Sequence, residues 1–179
     1  MSKLKINTYI SNFIPEFGYS TRENKEYLPI DHPDAQVAAQ KYLDYEDRIY
    51  LNGYIEIIYE NKTFLNDSER TDDLLFTWDD FARIVIKDEK EDEFDITLLD
   101  NGSTLKILKD GANYKLILDS VHSEEQNSTS ILSIPSEEMI EVIKSSFKHF
   151  VDFCNSGLVF NKESEYKNIL ESNSKIKGL

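Results

Sequence analysis

Apolar residues recur along this chain with two different periods, and the changes of period mark out the elements. Residues 3–10 alternate apolar with polar, which predicts a strand. Pro15, Gly18 and Pro29 punctuate the next stretch, and Asp31-His32-Pro33-Asp34 reads as a turn or helix start. Ala35, Val37, Ala38, Ala39 and Leu43 then predict a short helix over residues 34–43. Alternation returns at residues 53–59, with Ile55, Ile57 and Tyr59 on one face and Tyr54, Glu56 and Ile58 on the other. Glu60-Asn61-Lys62 reads as a turn into a short strand at residues 63–65.

The period then lengthens. Leu74, Leu75, Trp78, Phe81, Ala82 and Val85 recur at three- and four-residue steps and predict a helix over residues 72–87. Thr71 is placed to cap it, with Asp72 and Asp73 in a first turn where the helix dipole favours anions. Such a stripe is worth on the order of 10 kcal/mol of gross burial and must face a core. A meander follows: strands at 93–99, 104–108 and 114–120, separated by Asn101-Gly102 and Asp110-Gly111, whose residues supply the positive φ of tight turns. A polar loop is expected at 122–128 and a fourth strand at 129–134. Pro135 and Ser136 open a long helix to residue 154, striped by Met139, Ile140, Ile143, Phe147, Phe150, Val151 and Cys154. A short tail helix is expected at 163–172, with Tyr166, Ile169 and Leu170 on one side. Strand runs and helical runs are segregated and strand connections are short, so the expected fold is α+β: an antiparallel sheet with helices packed on one face. One domain of 179 residues is expected, with an N-terminal portion (1–50), a sheet-and-helix core (53–154) and a helical tail (158–179).

Charge narrows the function. The chain carries 34 Asp and Glu against 20 Lys and Arg, a net charge of −14, which argues against nucleic acid as a partner because phosphate neutralisation needs a basic face. No apolar run is long enough to span a bilayer, and the first residues lack the apolar core of a signal peptide, so a cytoplasmic protein is expected. Cys154 is the sole cysteine and lies on an apolar stripe, where an inert buried thiol is expected. His32, His122 and His149 have no second ligand at metal-binding spacing, and no Gly-x-Ser-x-Gly or phosphate-loop pattern occurs. No cofactor, metal or catalytic residue is therefore assigned. Paired carboxylates such as Asp79 and Asp80 could do acid–base work, but in so acidic a chain clusters carry little specificity.

The charge is unevenly spread. Residues 44–100 hold 18 acids and six bases, a net of −12, whereas the rest of the chain nets −2. Two features concentrate it: the helix bearing Asp72, Asp73, Asp79 and Asp80, and the run Asp88-Glu89-Lys90-Glu91-Asp92-Glu93. A solvated, solubilising face would account for both; an acidic docking surface for a basic protein is the functional reading. Eight of the ten tyrosines fall in the first 59 residues, beside and within this acidic region. Rings that bury area while a hydroxyl keeps its hydrogen bond make interface anchors. The expected partner-binding residues are Asp72, Asp73, Asp79, Asp80, Glu89, Glu91 and Asp92, with Tyr54 and Tyr59 as anchors.

The order Gly53-Tyr-Ile-Glu-Ile-Ile-Tyr59, then Asp73-Leu-Leu-Phe-Thr-Trp78-Asp-Asp-Phe81, then an acid-rich meander and Phe147-x-x-Phe150, resembles small acidic bacterial immunity proteins of polymorphic and contact-dependent toxin systems, together with uncharacterised relatives. The similarity covers residues 53–154 and lies in pattern. It implies a non-enzymatic protein that binds and blocks a toxin domain, often a basic nuclease. Two other classes stay open: a subunit of a larger or self-associating assembly that pairs through an edge strand, and a carboxylate-dependent hydrolase. Oligomeric state is not read from the sequence.

Overall fold

The computed structural model describes residues 2–69, 71–99, 102–123 and 126–179. In chain order the elements are β1 (Leu4–Ser11), β2 (Phe13–Ile14), β3 (Gly18–Tyr19), β4 (Tyr27–Pro29), α1 (Ala35–Tyr45), β5 (Asn52–Tyr59) and β6 (Lys62–Leu65). A 3-10 turn (Asp67–Glu69) leads to β7 (Asp72–Asp73), α2 (Leu74–Lys87), β8 (Glu93–Ile96), β9 (Thr104–Asp110), β10 (Asn113–Ser123), β11 (Gln126–Pro135), α3 (Ser136–Asn155) and α4 (Tyr166–Lys177). The fold is α+β. One sheet has the order β4-β1-β5-β6, with β7 also on β5; a second has the order β11-β10-β9-β8; β2 and β3 form a separate small hairpin. All strand pairs are antiparallel.

The alternation in β1 decides where the N-terminal portion goes. Leu4, Ile6, Thr8 and Ile10 face the core, and the strand lies between β4 and β5, so the N-terminal portion joins the main sheet through β1 and β4. Helices α2 and α3 tie the two sheets together: α2 touches β5 and β8, and α3 touches β1, β10 and β11. Helix α1 packs on β1 and β5, and α4 lies outside on α2 and α3. Trp78 sits at the centre. Its ring stacks near Phe150 (5.7 Å) and lies 5.7 Å from Phe81 and 6.1 Å from Phe147, while its indole N–H donates to Thr8 Oγ1 at 3.1 Å. A buried indole must find an acceptor, and β1 supplies one with a residue that interrupts its own apolar row. Glu69 does similar work between the sheets, accepting from Ser120 of β10 at 3.0 Å.

Several expectations need correction. Helix α2 begins at Leu74, not residue 72, and Asp73 rather than Thr71 caps it, accepting from the Leu75 N–H at 3.1 Å. Thr71 is committed elsewhere, its hydroxyl accepting from the Ile55 N–H, and Asp72 and Asp73 pair with Gly53 and Asn52 as β7. The first meander strand stops at Ile96 because Thr97 is drawn to α2, its N–H and hydroxyl both donating to Asp80. The loop expected at 122–128 is largely strand, since β10 and β11 continue pairing to Ser123 and Gln126. Of the Asn101-Gly102 turn, Asn101 lies outside the described residues, while Gly102 has a φ of +76°. The tail helix runs from Tyr166 to Lys177 rather than over 163–172; Ile169 is buried as expected, whereas Leu170 is exposed and Ser172 is buried in its place.

Gly53 marks the tightest approach in the main sheet. A Cβ there would stand 2.0 Å from the Tyr9 carbonyl oxygen and 2.8 Å from Leu74 Cδ1. Backbone and helix start press on it from two sides, so neither neighbour can yield independently. Gly53→Ala is expected to destabilise by about 4 kcal/mol or more, among the largest effects of single substitutions. Chemical denaturation checks this; a loss below about 1 kcal/mol, the ordinary cost of a point change, would mean that β1 and β5 separate readily.

Candidate functional site

The residues expected to form a single acidic face are not together. Asp73 is 2% exposed, and one carboxylate oxygen serves both the Leu75 N–H and the Leu51 N–H. Asp79 accepts from Ser172 of α4 at 2.7 Å, and Asp80 is held by Thr97 with Arg83 4.0 Å away. Both are structural braces. Glu89 and Asp92 are exposed, and Glu91 pairs with Lys87 at 2.5 Å. Their neighbours Asp88 and Glu93 pair with Lys109 and Lys106, so the acidic run is largely neutralised on the spot. This run and Asp72 lie at opposite ends of the 14-residue α2, about 20 Å apart at 1.5 Å per residue. Tyr59 is half-buried against the core. Tyr54 lies on the outer face of the main sheet, stacked on Tyr9 at 4.6 Å with Tyr27 edge-on at 4.9 Å.

A different surface gathers acids and aromatics, and it belongs to the N-terminal portion. The chain leaves β1 through Asn12, whose buried side-chain amide donates to the carbonyls of Glu23 and Lys25, and whose own carbonyl accepts from the Ser20 N–H. These bonds hold the β2–β3 hairpin upright. Pro15, at the second position of the turn closed by Phe17 N–H to Ile14 C=O, presets that turn, and Gly18 supplies a φ of +78°. Phe17 is thereby left 75% exposed at the tip and Tyr19 44% exposed. Between hairpin and α1 runs an open groove of about 590 Å³, lined by Ile14, Phe17, Tyr19, Lys41, Asp44 and Tyr45. Phe17 meets Tyr45 edge-on at 5.9 Å, and Tyr45 meets Tyr42 at 6.0 Å. On the hairpin's other side a cleft of about 200 Å³ is walled by Phe13, Pro15, Glu26, Tyr27, Tyr42 and Asp72.

Acidic side chains gather at the C-terminal end of α1. Glu46 follows the last residue of α1, and its carboxyl is raised by burial and then by Asp72, Asp47 and Glu16. Glu16 and Glu46 also raise the Tyr45 phenol beyond the effect of desolvation, and the Tyr42 phenol is pushed up to about 12 by burial, then by Glu46 and Asp72. Asp44, Glu46 and Asp47 stand at a helix C-terminus, where the macrodipole disfavours negative charge, and the last turn of α1 holds no basic residue. Asp44 is answered by Arg48 at 2.7 Å. Three non-glycine residues here take left-handed backbone: Asp47 (φ 52°), Arg48 (φ 63°) and Asp72 (φ 66°). Each costs about 1–2 kcal/mol, and such strain collects where a site needs it. Of the expected residues, Asp72 alone is near, walling the smaller cleft and accepting from the Asn52 side-chain amide at 2.5 Å, with Tyr54 one ring away through Tyr27. Glu16, Glu46, Asp47, Phe17, Tyr42 and Tyr45 were missed as a set, although the crowding of tyrosines in the first third was their signal.

The arrangement fits a cation presented on a long side chain: flat rings for its stem, several carboxylates for its head. Among the described residues no group of three or more His, Cys, Asp or Glu could hold a metal ion. Cys154 is buried and its thiol is raised by desolvation alone, as expected of an inert thiol.

Asp73 gives a pH signature. Burial pushes its carboxyl from 3.8 to about 6 against the pull of its two backbone hydrogen bonds, and its second oxygen has no partner. A raised folded-state value means that the native state holds the proton more tightly, so stability falls as pH rises from about 4 to about 6. The loss is on the order of 3 kcal/mol. Asp73→Asn, neutral throughout and retaining an oxygen for the cap, is expected to gain that amount relative to the parent between pH 4 and 7 in urea unfolding. Parallel pH profiles would contradict the assignment.

Comparison with protein families, with curated proteins and with solved structures gives no match.

Proposed function

We propose that the protein is a non-enzymatic binding protein of the immunity type, which neutralises a basic toxin domain by taking its cationic side chains into the groove beside the C-terminal end of α1. One observation carries this reading: beside the exposed rings of Phe17 and Tyr19 and the half-buried ring of Tyr45, Asp44, Glu46 and Asp47 stand against the helix dipole at the end of α1, with Glu16 and Asp72 adding to the negative field at Glu46. Asp72 accepts from the Asn52 side-chain amide at 2.5 Å and Asp44 pairs with Arg48, yet the repulsion of Glu46 by its acidic neighbours is a cost to the free protein. A bound arginine or lysine relieves it, and the relief adds to affinity.

The net charge of −14 supplies long-range attraction for a basic partner, and the groove supplies short-range recognition. An arginine stem laid over Tyr45 and Phe17 carries its guanidinium towards the acids at the end of α1, and a second cation enters the smaller cleft that Asp72 walls. Rigid rings around a desolvated charge are the usual centre of a tight interface. Blocking follows if the partner's cations are those that hold its own anionic substrate.

Immobilised protein is expected to retain a basic protein from the source cell at low salt and release it as salt rises. Glu46→Lys should slow association by about tenfold or more at low salt, and Tyr45→Ala should chiefly speed dissociation. Reversal of Glu89, Glu91 and Asp92 to Lys should matter far less, because Glu91 already pairs with Lys87 and the adjoining Asp88 and Glu93 bring Lys109 and Lys106 to the same turn. Retention that survives Glu46→Lys but is lost on reversing Glu89, Glu91 and Asp92 would move the docking surface to the far end of α2.

A further inference from the structure

We infer that β11 is an interface strand through which two copies of this chain pair edge to edge, antiparallel, joining their four-stranded sheets into one of eight strands. Four observations lead there. First, β11 is the ten-residue edge of its sheet, paired with β10 on one side only. Second, residues 126–136 are the longest stretch of the sequence without an acidic or basic side chain, and the next longest, 6–15, holds β1. Strand β1 is paired on both sides, by β4 and β5. The composition of β11 is thus that of an interior strand placed at an edge.

Third, the other edges of the two larger sheets are short and protected in the ways open to natural sheets. Strand β4 is three residues ending in Pro29; β6 is four residues beginning with Lys62; β8 is four residues carrying Glu93 and Asp95. No charge interrupts β11, and proline enters only at its last residue, Pro135. Fourth, Asn127, Ser128, Thr129, Ser130 and Ile131 are all exposed, although they alternate between the two faces of the sheet, so this half of the strand extends past the helix layer. Ile131, 60% exposed, stands on the outer face opposite the half-buried Ile117.

The charge pattern selects the occupant. A partner chosen for positive charge gains nothing along an uncharged strand. A second copy of a −14 chain is repelled over most of its surface and meets least repulsion here, where backbone hydrogen bonds supply the contact. Antiparallel pairing about a two-fold axis is self-complementary and closes at two copies.

Sedimentation equilibrium of the full chain over a wide concentration range tests this. A monomer–dimer equilibrium is expected, and its association should strengthen as salt screens the repulsion between copies, the opposite of the salt response expected for a basic partner. Ile131→Lys is expected to weaken dimerisation by about tenfold or more, even though it lowers the net negative charge. Ser130→Lys, also at an exposed position, should do the same, with thermal unfolding by circular dichroism confirming that both variants fold. A parent that stays monomeric at every concentration, or a dimer that both lysine variants leave intact, would overturn the proposal.

Discussion

The indole of Trp78 has to be buried and has to be hydrogen-bonded, and the fold is arranged so that both hold. Its N–H reaches Thr8 on β1, its ring lies against Phe147 and Phe150 of α3, and its own helix begins at the cap that Asp73 supplies. One side chain thus connects the N-terminal strand, the middle helix and the C-terminal helix, which are far apart in sequence. The close passage of Gly53 under the Tyr9 carbonyl and Leu74 follows from the same packing, since the start of α2 must press on β5 for Trp78 to reach β1. Asp73 is the cost of that arrangement: a cap buried so deeply that its carboxyl is pushed up to about 6.

A second tension lies at the surface. Acids at a helix C-terminus and backbone in the left-handed region both oppose stability, and both occur at the end of α1. Along α2 and the turn after it, by contrast, carboxylates are consumed by folding: Asp73 caps, Asp79 and Asp80 brace α4 and Thr97, and Glu91 and Glu93 are met by lysines. Acids that are already satisfied gain little from a partner, whereas those left in mutual repulsion gain most. That contrast, more than the number of charges, is the reason to place the proposed docking surface in the N-terminal portion.

The α+β class and the helix stripes were legible because hydrophobic period reports burial directly: Met139, Ile143, Phe147, Phe150, Val151 and Cys154 are buried as their spacing predicts, while Ile140 of the same stripe is half-buried. Strand β1 was visible as a strand, but its central place was not, because its partners β4 and β5 are set by tertiary packing. The start of α2 was misplaced by two residues, since Thr71, Asp72 and Asp73 are all good caps and only the pairing of β7 with β5 chooses between them. The acidic surface was the hardest to read. Sequence counts charges along the chain, but whether a carboxylate is free depends on hydroxyls and lysines brought from elsewhere, such as Ser172 to Asp79 and Lys106 to Glu93. Glu16, Glu46 and Asp72 come from three separate elements, so no window of sequence contains them together.

The most direct test of the proposed docking surface is a titration of the isotopically labelled protein with a hexa-arginine peptide, followed by backbone amide shifts in NMR at low salt. The account predicts that the largest changes fall at Glu16 to Tyr19, at Tyr42 to Asp47 and at Asp72, and that they fade together as salt is raised. Changes concentrated at Glu89 to Asp92, or spread evenly over all acidic positions, would contradict it.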